Sequence, residues 1–194
     1  RVLAHLSGDE RMLSVFQSGG SIHRDTHKAL SDRGVHVSYI DAKTFNFGGP
    51  MYGGTARTVA DNLGTNDVAL MEKLIGIWNE TYPQAASWIA RQRQAGLKEG
   101  SVEGFFGRKM KLPMEMNENH AGNCAVNYPI QNSAADLFKR VMLECVDLLG
   151  PTRLPIHDAY LFSVDYSKAK DWEELANLTP IYAPLEVEVM PHWG

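Results

Sequence analysis

Leu154-Pro155-Ile156-His157-Asp158-Ala159-Tyr160-Leu161-Phe162-Ser163-Val164 is two short apolar runs that meet at one His-Asp pair. An apolar strand that halts at a carboxylate and resumes as a second apolar strand puts that carboxylate at a hairpin tip. There it does little for a core and is well placed to hold a hard cation such as Mg²⁺ through oxygen. From this stretch alone a plainer alternative stays open, because Asp also favours turns for its own backbone hydrogen bonds. The company the pair keeps gives the first reading its weight. Lys43-Thr44-Phe45-Asn46-Phe47-Gly48-Gly49-Pro50-Met51-Tyr52-Gly53 comes first, Asn127-Tyr128-Pro129-Ile130-Gln131-Asn132-Ser133-Ala134-Ala135-Asp136 second, and the hairpin last.

With 194 residues, 44% of them hydrophobic, the chain can build one domain with a sizeable core or two small lobes around a cleft. Nineteen basic residues stand against 23 acidic ones, so no global field draws phosphates; this argues against a simple nucleic-acid coat protein but not against a nucleic-acid enzyme with local basic groups. Cys124 and Cys145 lie among apolar neighbours without metal-ligand spacing, which predicts reduced thiols and a cytoplasmic setting. No apolar run approaches the ~20 residues of a membrane span and no signal peptide opens the chain, so no membrane partner is expected. The sequence starts at Arg1-Val2-Leu3 in mid-pattern, without Met, and is read as a fragment.

Along the chain, Ser7-Gly8-Asp9-Glu10 has capping-box spacing and opens a helix with Met12, Leu13, Val15 and Phe16, ended by Gly19-Gly20. A short helix follows Ile22-His23. Lys43 to Tyr52 reads as a helix with a flaw. Asp67 caps an amphipathic helix with Val68, Met71, Leu74, Ile75 and Trp78 on one stripe. Pro83 suits the first turn of the next helix. Val102 to Leu112 forms a small hairpin with Phe105, Phe106 and Arg108. Ser133 and Asp136 make the capping box of a helix that runs to Leu149 and stops at Gly150-Pro151. Leu185 to Met190 alternates as a half-buried strand. Helices dominate residues 9 to 98 and strands frame one helix thereafter, which predicts an α+β fold with a helical lobe inserted into an antiparallel-sheet domain.

Taken in order, these stretches resemble the C-terminal part of a family A DNA polymerase, the DNA polymerase I type. Arg1-Val2-Leu3-Ala4-His5-Leu6-Ser7-Gly8-Asp9 is similar to the segment after the family's first palm carboxylate motif. Ala42 to Gly48 resembles the fingers helix that clamps the incoming nucleotide, Phe106-Gly107-Arg108 with Leu112-Pro113 the FGR…LP hairpin, Asn127 to Asp136 the primer-template helix, Ile156-His157-Asp158 the second palm carboxylate motif, and Pro184-Leu185-Glu186-Val187-Glu188-Val189 with Trp193-Gly194 the closing strand and terminus. The resemblance implies palm at residues 1–20, fingers at 21–100 and C-terminal palm at 101–194. It implies template-directed DNA synthesis from dNTPs on primer-template DNA in the cytoplasm of a bacterium or a virus-infected cell.

Nucleotide addition is an in-line phosphoryl transfer in which two metal ions stabilise the attacking and leaving oxygens and cations neutralise the triphosphate. The resemblance makes Asp158 a catalytic carboxylate and Mg²⁺ ligand. It puts Lys43 and His23 on the triphosphate, Phe47 against the sugar and Tyr52 at the base of the nascent pair. Asn127, Gln131 and His157 then face the minor groove, where every correct pair offers acceptors at similar positions, and Arg108 contacts primer-template. Each has a bland alternative: a solvated lysine for Lys43, core aromatics for Phe47 and Tyr52, helix caps for Asn127 and Gln131, and a surface ion pair for Arg108.

Four departures from the family stand out. The first carboxylate motif is expected before Arg1, with the upstream palm and thumb segment as a further partner from the same gene or a separate chain. Ala159 stands where the family has Glu. Tyr39 replaces a triphosphate cation, for which Arg24 and Arg33 are candidate substitutes, and Asn123 replaces an arginine before the Asn-Tyr-Pro-Ile-Gln run. Tyr52 follows Lys43 by nine residues where the family has eight, and Pro50 cannot donate to the carbonyl of Asn46, which predicts a kink or π-type bulge at Gly48–Met51. The expected fragment is inactive alone. Ala159, Tyr39 and Asn123 support a rival reading, a degenerate primer-template-binding module without catalysis; a single-subunit RNA polymerase is disfavoured by the Asn-Tyr-Pro-Ile-Gln run.

Overall fold

Side-chain caps set most helix starts in the computed structural model, which describes residues 1–157 and 159–164. After α1 (Val2–Ser7), Asp9 accepts the Met12 amide at 3.0 Å and opens α2 (Glu10–Gln17). Then come α3 (Ile22–Asp32) and α4 (Tyr39–Gly48), the latter capped by Ser38 on the Asp41 amide at 3.0 Å. A 3₁₀ turn at Pro50–Tyr52 leads to α5 (Ala56–Asn62), capped by Thr55. Asp67 accepts the Leu70 amide at 2.9 Å and opens α6 (Val68–Thr81), and Pro83 starts α7 (Pro83–Glu99). Strands β1 (Ser101–Glu103) and β2 (Lys109–Lys111) pair antiparallel with Val102 opposite Met110. Helix α8 (Glu118–Leu149) precedes the antiparallel pair β3 (Thr152–Ile156) and β4 (Ala159–Phe162). The fold is α+β, as the sequence predicts. The Leu185–Met190 strand lies outside the described residues.

The chain forms two compact units, Arg1–Ser133 and a second from Ala134 onward. Leu3, Met12, Leu30, Phe45, Val59, Leu74, Trp78, Tyr82 and Val126 fill the core of the first, each large side chain worth about 1.5–3 kcal/mol of burial. Asp9 is buried beneath them with both carboxylate oxygens in use: one caps α2 and the other accepts the Ala85 amide at 3.1 Å. In the second unit Tyr160 stacks on Phe138 at 4.0 Å between ring centroids, and its hydroxyl donates to the Phe138 carbonyl at 2.5 Å.

Three local expectations are corrected. The cap of α2 is Asp9 rather than Ser7, whose hydroxyl is engaged by donating to the Leu3 carbonyl at 2.7 Å. The helix expected from Ser133 starts at Glu118 and runs through Pro129. Ser133 is therefore in mid-helix; its hydroxyl donates to the Pro129 carbonyl at 2.5 Å and accepts the Phe105 amide at 2.8 Å. Proline normally costs a helix interior about 3 kcal/mol, which tertiary packing of Val126 and Ile130 into the core offsets. The flaw after Lys43 is real but tightens instead of widening: the chain breaks at Gly49 (φ −129°, ψ −116°) and continues as the 3₁₀ turn, not a π-bulge. Gly53 follows with φ 72°, where a Cβ would also sit 3.3 Å from Val126, so this turn docks closely on α8.

Candidate functional site

Helix α4 buries Ala42, Phe45 and Asn46 and leaves Tyr39, Lys43 and Phe47, spaced by four, on an open face. Phe47 is 47% exposed. Ile40, Lys43, Thr44, Phe47, Gly48 and, from α5, Asn62 line an open groove of about 450 Å³ there. Asn62 donates to the Gly48 carbonyl at 3.2 Å, holding the end of α4 to α5. Lys43 is exposed and has no carboxylate in ion-pair range among the described residues.

His23 reaches the same face from α3, its ring 4.8 Å from that of Phe47 and tilted by 49°. Its protonation follows from the buried groups behind it. Trp78 Nε1–H can only donate, and it does so at 3.0 Å to Asn46 Oδ1. The Thr26 hydroxyl lies 3.2 Å from the same oxygen. Asn46 Nδ2 is thereby the outward donor, to His23 Nδ1 at 3.2 Å. An imidazole that accepts at Nδ1 carries its proton on Nε2. Burial, and then the charge of Lys43, lower the His23 pKa below its usual range, so the ring is a neutral Nε2–H donor at pH 7. Thr26 also meets the Tyr82 hydroxyl at 3.0 Å, and Tyr82 donates to Asp25 at 2.8 Å. Burial opposes ionisation of Asp25, but hydrogen bonds from Arg11 and Tyr82 outweigh it and hold the carboxyl below the usual carboxylate range.

On α8, Asn127 and Gln131 share one face a turn apart, well inside the helix, which removes the capping alternative for both. Gln131 is exposed. Asn127 Oδ1 is buried with no hydrogen-bond partner among the described residues. Arg108 is exposed on the hairpin, whose backbone is tied to α8 where Asn132 donates to the Arg108 carbonyl at 3.2 Å. Tyr52 is half-buried against the core of the first unit. The first unit therefore brings His23, Lys43 and Phe47 onto one face and puts Asn127 and Gln131 on a second helix. In the second unit His157 is exposed at the hairpin turn with φ 52°, a left-handed conformation unusual outside glycine. Asp158 lies outside the described residues.

Arg33, a candidate substitute for the cation missing at Tyr39, is committed elsewhere: it pairs with Glu80 at 3.5 Å and reaches Thr81. Sequence reasoning missed Asn46 and Arg93. The signal for Asn46 is a polar residue on the apolar side of α4; Arg93, on α7, has no local signal, because its partners lie on α8.

The chain matches the family model for DNA polymerase family A over residues 1–190. It is 34% identical to the thermostable DNA polymerase I of Thermus filiformis over 97% of this chain and 25% of that protein. It is 32% identical to DNA polymerase I of Deinococcus radiodurans over 100% of this chain and 22% of that protein. With the DNA polymerase of Mycobacterium phage D29 the identity is 31% over 92% of this chain and 29% of that protein. The chain thus spans about a quarter of the length of the curated relatives it matches. Among solved structures, the POL domain of Pol1 from M. smegmatis in complex with DNA primer-template and dNTP matches 96% of this chain with a TM-score of 0.77 and 25% identity, over 36% of that chain.

Proposed function

The chain belongs to DNA polymerase family A, and from that membership we propose that it supplies the nucleotide-handling face and part of the primer-template face of an enzyme for template-directed DNA synthesis. Residues 1–20 and 101–194 are then palm and 21–100 fingers. The observation that carries this reading is the face of α4. A Lys43 with no carboxylate in ion-pair range among the described residues, a neutral His23 donor and an exposed Phe47 ring stand together beside an open groove. A triphosphate needs a point charge and donors for its oxygens, and a sugar needs an apolar plate. In this assignment Lys43 and His23 Nε2–H hold phosphate oxygens, Phe47 lies against the sugar and Tyr52 lies below the new base pair. Asn127, Gln131 and His157 face the minor groove, and Arg108 meets primer-template. The relatives, bacterial and phage polymerases, favour the cytoplasm of a bacterium or an infected cell.

Mg²⁺ is the metal this chemistry implies, and the chain's contribution is Asp158. The described residues contain no group of three His, Cys, Asp or Glu side chains able to hold a metal, so they do not by themselves make a metal centre. The second carboxylate is assigned to an upstream palm and thumb segment, and the chain alone is expected to be inactive.

Lys43→Ala in the complete polymerase tests the reading. Losing a charged hydrogen bond of about 1.5–3 kcal/mol lowers kcat/KM for the nucleotide about 10- to 150-fold. Primer-template affinity stays within about twofold. Steady-state primer extension against nucleotide concentration measures the first and fluorescence anisotropy the second. An unchanged nucleotide dependence returns Lys43 to a solvated surface residue. Ala159, Tyr39 and Asn123 favour the rival, a non-catalytic primer-template holder, and in that case the complete protein binds DNA yet extends no primer.

A further inference from the structure

Arg93, in the middle of α7, sends its guanidinium onto α8. Nη1 donates to Asn123 Oδ1 at 2.8 Å and Nη2 to Asn119 Oδ1 at 3.1 Å. The plane lies against the bare backbone of Gly122, where a Cβ would come within 2.6 Å of Arg93 Cζ. This is a built seat, yet an odd one for an arginine whose only task is stability. Both partners are neutral amides, and among the described residues no carboxylate lies in ion-pair range. Asn119 and Asn123 belong to the opening turns of α8, where the helix dipole disfavours a cation. Of the five N–H donors of a guanidinium, two are used. The residue is half-buried, and its bond to Asn119 lies on the exposed side of the seat, so the charge is not sealed in the core.

The surroundings say what that charge serves. Asn119, Asn123, Asn127 and Gln131 recur every four residues and form one stripe along α8. Arg93 occupies the first half of that stripe, and the second half carries Asn127 and Gln131. Asn123 is also where the family resemblance leads one to expect an arginine and finds an amide. The neighbouring helix thus returns a cation to the position where α8 lacks one.

We propose that Arg93, seated on Asn119 and Asn123, binds a backbone phosphate of the nucleic-acid strand that runs along α8. The proposal rests on the reading of Asn127 and Gln131 as primer-template contacts. The ligand is a phosphodiester oxygen, so Arg93 contributes affinity and register without reading sequence.

The test measures binding of fluorescein-labelled primer-template to the complete polymerase by anisotropy between 50 and 200 mM NaCl. Arg93→Gln removes the charge and keeps a polar side chain. It reduces the slope of log affinity against log salt by about 0.7–0.9, one phosphate contact's worth. The affinity gap to wild type accordingly narrows about threefold across that salt range. The loss is the same for unrelated duplex sequences, and KM for the nucleotide does not move. Arg93→Lys keeps the slope, because a point charge still meets the phosphate. Arg93→Gln combined with Asn123→Arg moves the cation onto α8 and restores the slope. An unchanged slope in Arg93→Gln, or Lys and Gln variants that behave alike, would overturn the proposal and make Arg93 a packing residue. A complete protein that binds no primer-template even at 50 mM salt would overturn the polymerase reading, and this proposal with it.

Discussion

Asn46 decides what His23 can do. Its carboxamide is oriented from behind by Trp78, which can only donate, and so it presents an N–H to His23 Nδ1. A histidine that held phosphate as a cation would lose that role as pH rose through its pKa; one that donates from Nε2 while neutral keeps it. Asn46→Asp retains the acceptor for Trp78 and turns the donor to His23 into a second acceptor. The imidazole then gains a proton on Nδ1 and an opposite charge, so its pKa moves up from its lowered position to above the usual value for histidine. NMR titration of the His23 ring checks this, and a midpoint that stayed low would mean that Asn46 is not the group that sets the tautomer. The residues on the α4 face were legible in the sequence because their spacing is local, Lys43 and Phe47 one turn apart. Asn46 and Arg93 were not, because each acquires its meaning from a partner more than twenty residues away.

At the scale of elements, α8 shows where local rules fail. The Ser133–Asp136 spacing signals a helix start, and the structure overrides it with packing on either side. Val126 and Ile130 are held in the core, and Ser133 and Asn132 are engaged by the β1–β2 hairpin. Amides from 124 to 128 are therefore helical and should exchange slowly with deuterium; a helix that began at Ser133 would leave them to exchange within seconds. Hydrogen exchange read by mass spectrometry of peptides covering 119–132 distinguishes the two. Helix starts with one unambiguous local signal, the Asp67 cap and Pro83 in the first turn, were legible outright. The break after α4 was legible as a break, since Pro50 forbids the regular bond. Its form was not, because Gly49, which can adopt its unusual backbone angles, lets the chain tighten into a 3₁₀ turn that docks on α8 through Gly53.

For the whole molecule, the proposed function gives as the expected outcome that this chain, purified alone, shows no Mg²⁺-dependent primer extension, since that reading takes from it one carboxylate, Asp158, where two-metal phosphoryl transfer uses more. In the complete enzyme Asp158→Ala abolishes turnover and leaves primer-template affinity within a few-fold. Gel-based extension and anisotropy give the two readouts, and a variant that kept most of its rate would make Asp158 an ordinary turn residue. One feature of the core also sets the order in which the first unit comes together. Asp9 is fully buried, and among the described residues its second oxygen is satisfied only by the amide of Ala85, 76 residues further on. Closing a loop of that length costs about 4 kcal/mol of chain entropy, so no local gain at α2 secures the contact early. On a ribosome adding about 5–20 residues each second, some 4 to 15 s pass before the partner of Asp9 exists. Within the first unit, the buried carboxylate of Asp9 is thus complete only once α7 has packed, whatever α2 does by itself.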